Sequence, residues 1–285
     1  MSLSERIKRL AGLTDEPGRP RARVLAVAAQ KGGVGKTTTA VNLSVALARF
    51  ANQRTLLVDL DGQGHVATSL ASVYEDGSPV SMSDVLLGHG RDLLEIIHPT
   101  RIDLLSVTPS DKGLASAEGV LAGRIGKEFL LRGALRKARE RFDVIVLDCP
   151  PNLGNLTLNA LMASDACLVP CDMSILAMAG VADLLAVVDT LRDRLDHQVQ
   201  VLGILPTRVD RRNARVTDAV LEGLAETYGE LVLSTHIPVS SALARAQMEG
   251  IPVFDYDASA TGSVAYRALS EEVLTRLGVG AALPS

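Results

Sequence analysis

The strongest chemical signal in the sequence is a run of nine residues, Gln30-Lys31-Gly32-Gly33-Val34-Gly35-Lys36-Thr37-Thr38. Glycines let a backbone approach an anion with no Cβ in the way. Where such a loop joins a strand to a helix, its N–H groups and the helix dipole converge on one spot, which suits phosphate. Gly32, Gly33, Val34 and Gly35 would cradle a nucleotide's phosphates, with Thr38 closing the loop. Lys36 would reach the β- and γ-phosphates, and the Thr37 hydroxyl would sit on Mg²⁺. The strict G-x-x-x-x-G-K-[ST] spacing is not met, because Gln30 stands where its first glycine belongs. An extra lysine, Lys31, opens the loop instead. It lies five residues before Lys36, so both can face phosphate only if the loop wraps tightly or a second subunit takes part.

Carboxylates end two other apolar runs: Thr55-Leu56-Leu57-Val58-Asp59-Leu60-Asp61 and Val144-Ile145-Val146-Leu147-Asp148. Ligands of open α/β sheets bind at the carboxyl ends of strands, where an aspartate can hold Mg²⁺ or orient an attacking water. Asp148 and Asp59 are the candidate metal residues, and Asp61 is a candidate for either task. Any one of them alone could equally be a turn or helix cap.

The elements that must position these groups alternate. Short apolar runs at Val24–Ala29, Thr55–Asp59, Ile102–Val107, Val144–Leu147, Ala166–Pro170, Val199–Leu205 and Leu231–Ile237 predict strands. They are apolar throughout, as expected of strands buried on both faces of a parallel sheet. Helical periodicity fills Thr37–Phe50, Lys127–Arg141, Leu156–Ala163, Ile175–Leu195, Ala214–Tyr228 and Ser263–Leu277. The pattern predicts one doubly wound α/β domain over residues 23–285, a mostly parallel sheet with helices on both faces. Residues 1–22 read as an N-terminal arm and linker, with a short helix over Ser4–Leu13.

Composition agrees. The 285 residues are 47% hydrophobic and 22% charged, with a net charge of −4. No apolar run is long and charge-free enough to cross a membrane. The charged stretch Met1–Leu13 does not read as a secretory signal, and the three cysteines, Cys149, Cys167 and Cys171, read as reduced core thiols of a cytoplasmic protein.

At this point the chain resembles the ParA-type partition ATPases, within the wider group that includes MinD. The likeness runs from about Val24 to Leu277. It rests on the deviant Walker A motif Lys31–Thr38, on Asp59-Leu60-Asp61-Gly62-Gln63-Gly64, on Asp148-Cys149-Pro150-Pro151, and on Gly250–Asp257 followed by Ala265-Tyr266-Arg267. The resemblance implies ATP and Mg²⁺ as cofactors and slow, partner-stimulated hydrolysis. It also implies a nucleotide-sandwich homodimer in which Lys31 crosses to the partner's ATP. Asp61 matches the water-positioning residue and Asp148 the Walker B aspartate. It further implies non-specific double-stranded DNA and a ParB-like or cargo-adaptor activator as partners, no membrane, and a nucleoid-associated ATP form. The chain departs from the family at Gly62 and His65. Val239 and Ala242 stand where the family usually carries arginines that contact DNA.

Weaker signals surround these. Arg208, Arg211, Arg212 and Arg215 cluster in sequence, and with Arg245 and Arg267 they are the candidate phosphodiester contacts. Their ordinary reading is a solvated face. Arg208 and Pro238 are candidates for lining the base. Thr207-Arg208-Val209-Asp210 resembles a guanine-reading segment without its lysine, so GTP is a minor alternative to ATP. Gly278–Ser285 lacks the basic amphipathic character of a membrane anchor. A metabolic P-loop enzyme, either a small-molecule kinase or a ligase of the dethiobiotin-synthetase kind, is the competing function. No second catalytic constellation supports it.

Overall fold

The computed structural model describes residues 21–74, 80–88, 90–210, 212 and 214–279. Residues 1–20 of the N-terminal arm, with its expected helix, and the last six residues lie outside that range. Seven strands form one sheet: β1 (Arg23–Val27), β2 (Thr55–Asp59), β3 (His98–Pro99), β4 (Leu105–Thr108), β5 (Val144–Asp148), β6 (Ala166–Asp172) and β7 (Gln200–Thr207). Their order is β3-β4-β2-β5-β1-β6-β7. Every pairing is parallel except the short antiparallel β3–β4 edge.

The strands are apolar on both faces because both faces are covered. Val24 and Ala26 of β1, with Ile145 and Leu147 of β5, belong to one core. Their alternating neighbours Leu25, Val27, Val144 and Val146 belong to the other. The helix α1 (Lys36–Ala51) packs into the second core with Leu43 and Leu47 fully buried. Helix α7 (Ile175–Leu195) covers the first with Val181, Leu184 and Val188. Between them the chain forms α2 (His65–Ser69), α3 (Met82–Leu87), α4 (Gly113–Ala122), α5 (Leu130–Ala134) and α6 (Asn155–Ala163). After β7 come α8 (Ala214–Tyr228), α9 (Ser241–Glu249), α10 (Val253–Tyr256) and α11 (Thr261–Leu277).

Three sequence expectations need correction. The run Leu231–Ile237 is not a strand: it meets β7 at separate points, the Ile204–Val232 bridge and the Leu233 and Ile237 N–H groups that donate to Ile204 O and Pro206 O. Its backbone N–H groups at Ser234 and Thr235 donate to the Glu272 carboxylate, which takes them out of any ladder. The segment Lys127–Arg141 is not one helix: it divides into a 3₁₀ turn, α5 and a second 3₁₀ turn. There the Leu131 N–H donates to the Asn159 side chain instead of a helical carbonyl. Strand β4 starts three residues later than expected, because Leu104 adopts φ +64° and Ile102 is held in a turn by the Thr100 hydroxyl.

Candidate nucleotide site

β1, the loop Gln30–Gly35 and α1 build the phosphate cradle. Gly33 and Gly35 have φ of +77° and +91°, so the loop's curl depends on glycine at both. A Cβ on Gly32 would meet Pro151 at 3.8 Å, which places the Asp148–Pro151 segment directly against the loop. Helix α1 begins at Gly35 with no side chain capping it, so its first N–H groups are available to an anion. Behind the cradle Tyr266 of α11 is fully buried, with its hydroxyl 3.2 Å from that of Thr39. Asn42 ties α1 to the start of α10, donating to Thr38 O and accepting from Val253 N.

The two lysines of the loop occupy different places. Lys36 is 6% exposed and its Nζ donates to Lys31 O at 2.9 Å. Burial lowers its pKa, while the nearby Asp148 and Asp61 pull it back up. Lys31 sits at the rim and turns away, its Nζ 3.0 Å from Asp172 Oδ2 and 3.0 Å from Ser174 Oγ. Asp172 ends β6 and Ser174 caps α7, accepting from Ala177 N.

β2 and β5 place the acids. Asp59 and Asp148 are register neighbours on adjacent strands, and both are fully buried. Neither Asp148 oxygen makes a geometrically complete hydrogen bond, although the Thr37 hydroxyl lies close enough to favour the anion. Burial pushes the Asp148 carboxyl up to about 7, with Asp61 adding to the rise and Thr37 and Lys36 opposing it. A buried carboxylate with unmet oxygens beside a threonine hydroxyl fits a hard cation such as Mg²⁺, which takes oxygen ligands.

Asp59, the other candidate metal residue, has both oxygens engaged by backbone N–H groups. Its two oxygens accept from Asp61 N (2.9 Å) and Val66 N (3.3 Å), so it organises the turn that presents Asp61. Burial, then the neighbouring Asp148, raise its pKa well above the carboxylate range. Asp61 lies at the edge of the site, 9% exposed, its Oδ1 accepting from Gln63 N.

The far rim is made by β7 and the chain after it. Thr207 Oγ1 donates to Val34 O at 2.8 Å, and the Arg208 guanidinium donates to Gly33 O at 3.3 Å. The neighbouring Val209 bridges to Pro238, so the two base-lining candidates, Arg208 and Pro238, come together beside the loop.

The arginines read as DNA contacts do not converge in this way. Arg212 is bound to Asp210, and Arg215 is exposed on α8. Arg245 donates to the Tyr256 hydroxyl, while Arg267 stacks over Phe50 at 5.1 Å and pairs with Glu271. Arg211 lies outside the described residues. Of the two positions where the family's arginines are replaced, Val239 is 49% exposed and Ala242 is buried. The three cysteines are buried and unpaired, and no cluster of metal-ligating side chains occurs among the described residues. No helix among them is long and apolar enough to cross a membrane.

Sequence reasoning missed Asp172 and Ser174, and it took Thr207 only as part of a base-reading segment and not as a contact to the loop. Asp172 and Thr207 do end β6 and β7 on the ligand-binding edge, which is the signal that could have found them.

A mostly parallel sheet, a glycine loop leading into an uncapped helix and a buried strand-end carboxylate define a P-loop nucleotide hydrolase. A family model described as an AAA domain matches residues 22–201. The chain is 37% identical over 254 residues to the chromosome partitioning protein ParA of Myxococcus xanthus, covering 89% of this chain and 88% of that protein. It is 36% identical over 251 residues to the sporulation initiation inhibitor protein Soj of Bacillus subtilis, covering 88% and 98%. Among solved structures, cobyrinic acid a,c-diamide synthase from Mycobacterium smegmatis, with bound ATP analogue and magnesium, is 36% identical with a TM-score of 0.76. It covers 93% of this chain and 99% of that one. The cell division ATPase MinD of Pyrococcus furiosus superposes with a TM-score of 0.69 at 25% identity, covering 89% and 99%. The chain belongs to the ParA/MinD-type ATPases. It is an ATP-hydrolysing enzyme of that family with ATP and Mg²⁺ as its cofactors.

Proposed function

We propose that the chain is an ATP-dependent dimerising switch that binds double-stranded DNA without sequence preference and positions DNA or another large cargo. In this reading Lys36, with the backbone of Gly32–Gly35 and Thr38, holds the triphosphate. Thr37 and Asp148 hold Mg²⁺, which neutralises charge on the phosphates. Asp61, presented by the turn that Asp59 organises, orients the attacking water. Lys31 crosses to the partner's nucleotide. A cargo-bound activator accelerates hydrolysis and resets the switch in the cytoplasm.

One observation carries the reading: the separation of the two lysines. Lys36 is buried over its own loop, donating to Lys31 O, while Lys31 is held at the rim by Asp172 and Ser174. A lysine that served its own subunit's phosphates would not need a second anchor outside the cradle. The kinship with ParA and Soj supports a partition or positioning role. The DNA face would differ from the family's usual one, because Val239 and Ala242 replace its arginines. Arg212, Arg215, Arg245 and Arg267, with Arg211, remain the candidate contacts, and such contacts would give a steep salt dependence.

A second reading, a synthase acting on a small molecule, is favoured by the description of the 36%-identical Mycobacterium smegmatis structure. The ATPase rate with and without sonicated double-stranded DNA separates the two. A DNA-dependent rise that vanishes at high salt is expected of the switch. A rate indifferent to DNA, together with no DNA retention of the ATP form, would favour the synthase.

A further inference from the structure

The end of β7 is laced to the crown of the phosphate loop by two side chains that no phosphate-loop motif includes. Thr207 is 2% exposed, and its hydroxyl donates to Val34 O at 2.8 Å. Arg208, the next residue, is exposed, yet one guanidinium N–H donates to Gly33 O at 3.3 Å. The two carbonyls are consecutive and belong to the loop's tightest stretch, where Gly33 and Gly35 are left-handed. Thr207 also backs Gly35 directly: a Cβ built there would lie 4.0 Å from the Thr207 side chain.

Arg208 is itself left-handed, with φ +53°. Arginine has no local side-chain bond to favour that conformation, so the backbone is strained there. Glycine would adopt it freely. A strained arginine at a loop's edge is retained where its side chain does something glycine cannot. Among the described residues, the hydrogen bond that the side chain makes is to the loop crown.

We infer that Thr207 and Arg208 form a clasp that holds the crown of the phosphate loop in its nucleotide-ready shape. They are positioning residues, acting on phosphate through the Gly33 and Val34 peptides. Turning those two carbonyls outward fixes their peptide planes, and with them the direction of the N–H groups that follow in the loop. A loop held this way gives up less conformational freedom when nucleotide binds. The clasp therefore slows nucleotide release more than it stabilises the fold. This gives Arg208 a role on the loop, separate from lining the base. It rests on nucleotide binding at the loop and is independent of the dimer and DNA readings.

The test is the dissociation rate of a fluorescent N-methylanthraniloyl-ADP with Mg²⁺, measured beside the thermal midpoint of the nucleotide-free protein. ADP keeps dimerisation out of the measurement. Thr207→Val removes the hydroxyl at nearly constant volume and should speed release about fivefold, the equivalent of one hydrogen bond. Thr207→Ser should restore release to within about twofold of wild type. Arg208→Gly should speed release by a similar factor while leaving the thermal midpoint of the nucleotide-free protein at or above the wild-type value, since it relieves the strain. Unchanged release in both Thr207→Val and Arg208→Gly would overturn the clasp. So would a thermal midpoint in Arg208→Gly that falls in step with affinity, which would make the residue merely structural. If the wild-type protein fails to bind the probe, or Lys36→Ala binds it as wild type does, the phosphate-loop assignment fails instead.

Discussion

Neutralising Asp172 should tighten the dimer, because Asp172 holds Lys31 at home. The Lys31–Asp172 pair is 3.0 Å long, with side chains 35% and 14% exposed. A pair in that setting is worth roughly 1 kcal/mol. If Lys31 crosses to the partner's ATP, that pair breaks before the interface forms, and it breaks twice per symmetric dimer. Removing it should therefore favour the ATP dimer by about 2 kcal/mol, or about thirtyfold in dissociation constant. Asp172→Asn is the suitable change, since it keeps the volume and lets Ser174 retain a partner. The assay is sedimentation velocity across a protein dilution series with a slowly hydrolysed ATP analogue, beside the same series with ADP. Wild type and variant should match with ADP and separate with the analogue. An unchanged or weaker analogue-bound dimer in Asp172→Asn would refute the reasoning, because Lys31 would then not be leaving Asp172.

Three further outcomes are expected. Asp61→Ala should retain ATP and hydrolyse it at least tenfold more slowly, since the phosphate and metal groups remain while the water loses its orienting carboxylate; unchanged steady-state turnover would remove Asp61 from the mechanism. Tyr266→Phe deletes the buried hydroxyl contact to Thr39 and should lower stability by about 1–2 kcal/mol, read as a shift of the urea midpoint, with no shift contradicting the assignment. Stability without nucleotide should depend on Asp148, whose carboxyl is pushed up to about 7 by burial against about 3.9 in an unfolded chain. Between those values the folded protein keeps a proton that the unfolded chain has released. Stability should therefore fall as pH rises, by up to about 1.4 kcal/mol per unit from this group; Mg²⁺ with ADP should offset the loss, and a thermal midpoint that climbs from about pH 5.5 to 7.5 without ligand would contradict it.

The parts of this molecule that were legible in the sequence are those whose signal is local. Parallel strands buried on both faces must be apolar throughout, so β1, β2 and β5 stand out as runs. The glycine loop and the strand-end acids stand out for the same kind of reason. Helix α7 shows its full length, Ile175–Leu195, because an apolar stripe and a capping serine both mark it. Helix α9 escaped because its buried face uses only small residues, Ala242 and Ala246; helix α4 buries Leu114, Ala117 and Leu121, but its exposed face carries Val120 as well, which leaves little apolar contrast.

The fine structure of the site was less legible. Lys31 meets Asp172 across 141 residues and Arg208 meets Gly33 across 175; no periodicity encodes such pairs. Asp59 looked like Asp148, an acid ending a strand. Only the fold shows that the backbone N–H groups of Asp61 and Val66 have claimed its oxygens.

The central claim is that ATP occupancy is converted into dimerisation through Lys31. Lys31→Ala tests it most directly, followed by sedimentation with a slowly hydrolysed ATP analogue in the presence and absence of double-stranded DNA. The account predicts a monomer that still binds the analogue through Lys36, with weak, salt-sensitive DNA retention. A dimer of wild-type stability with normal DNA binding would contradict it.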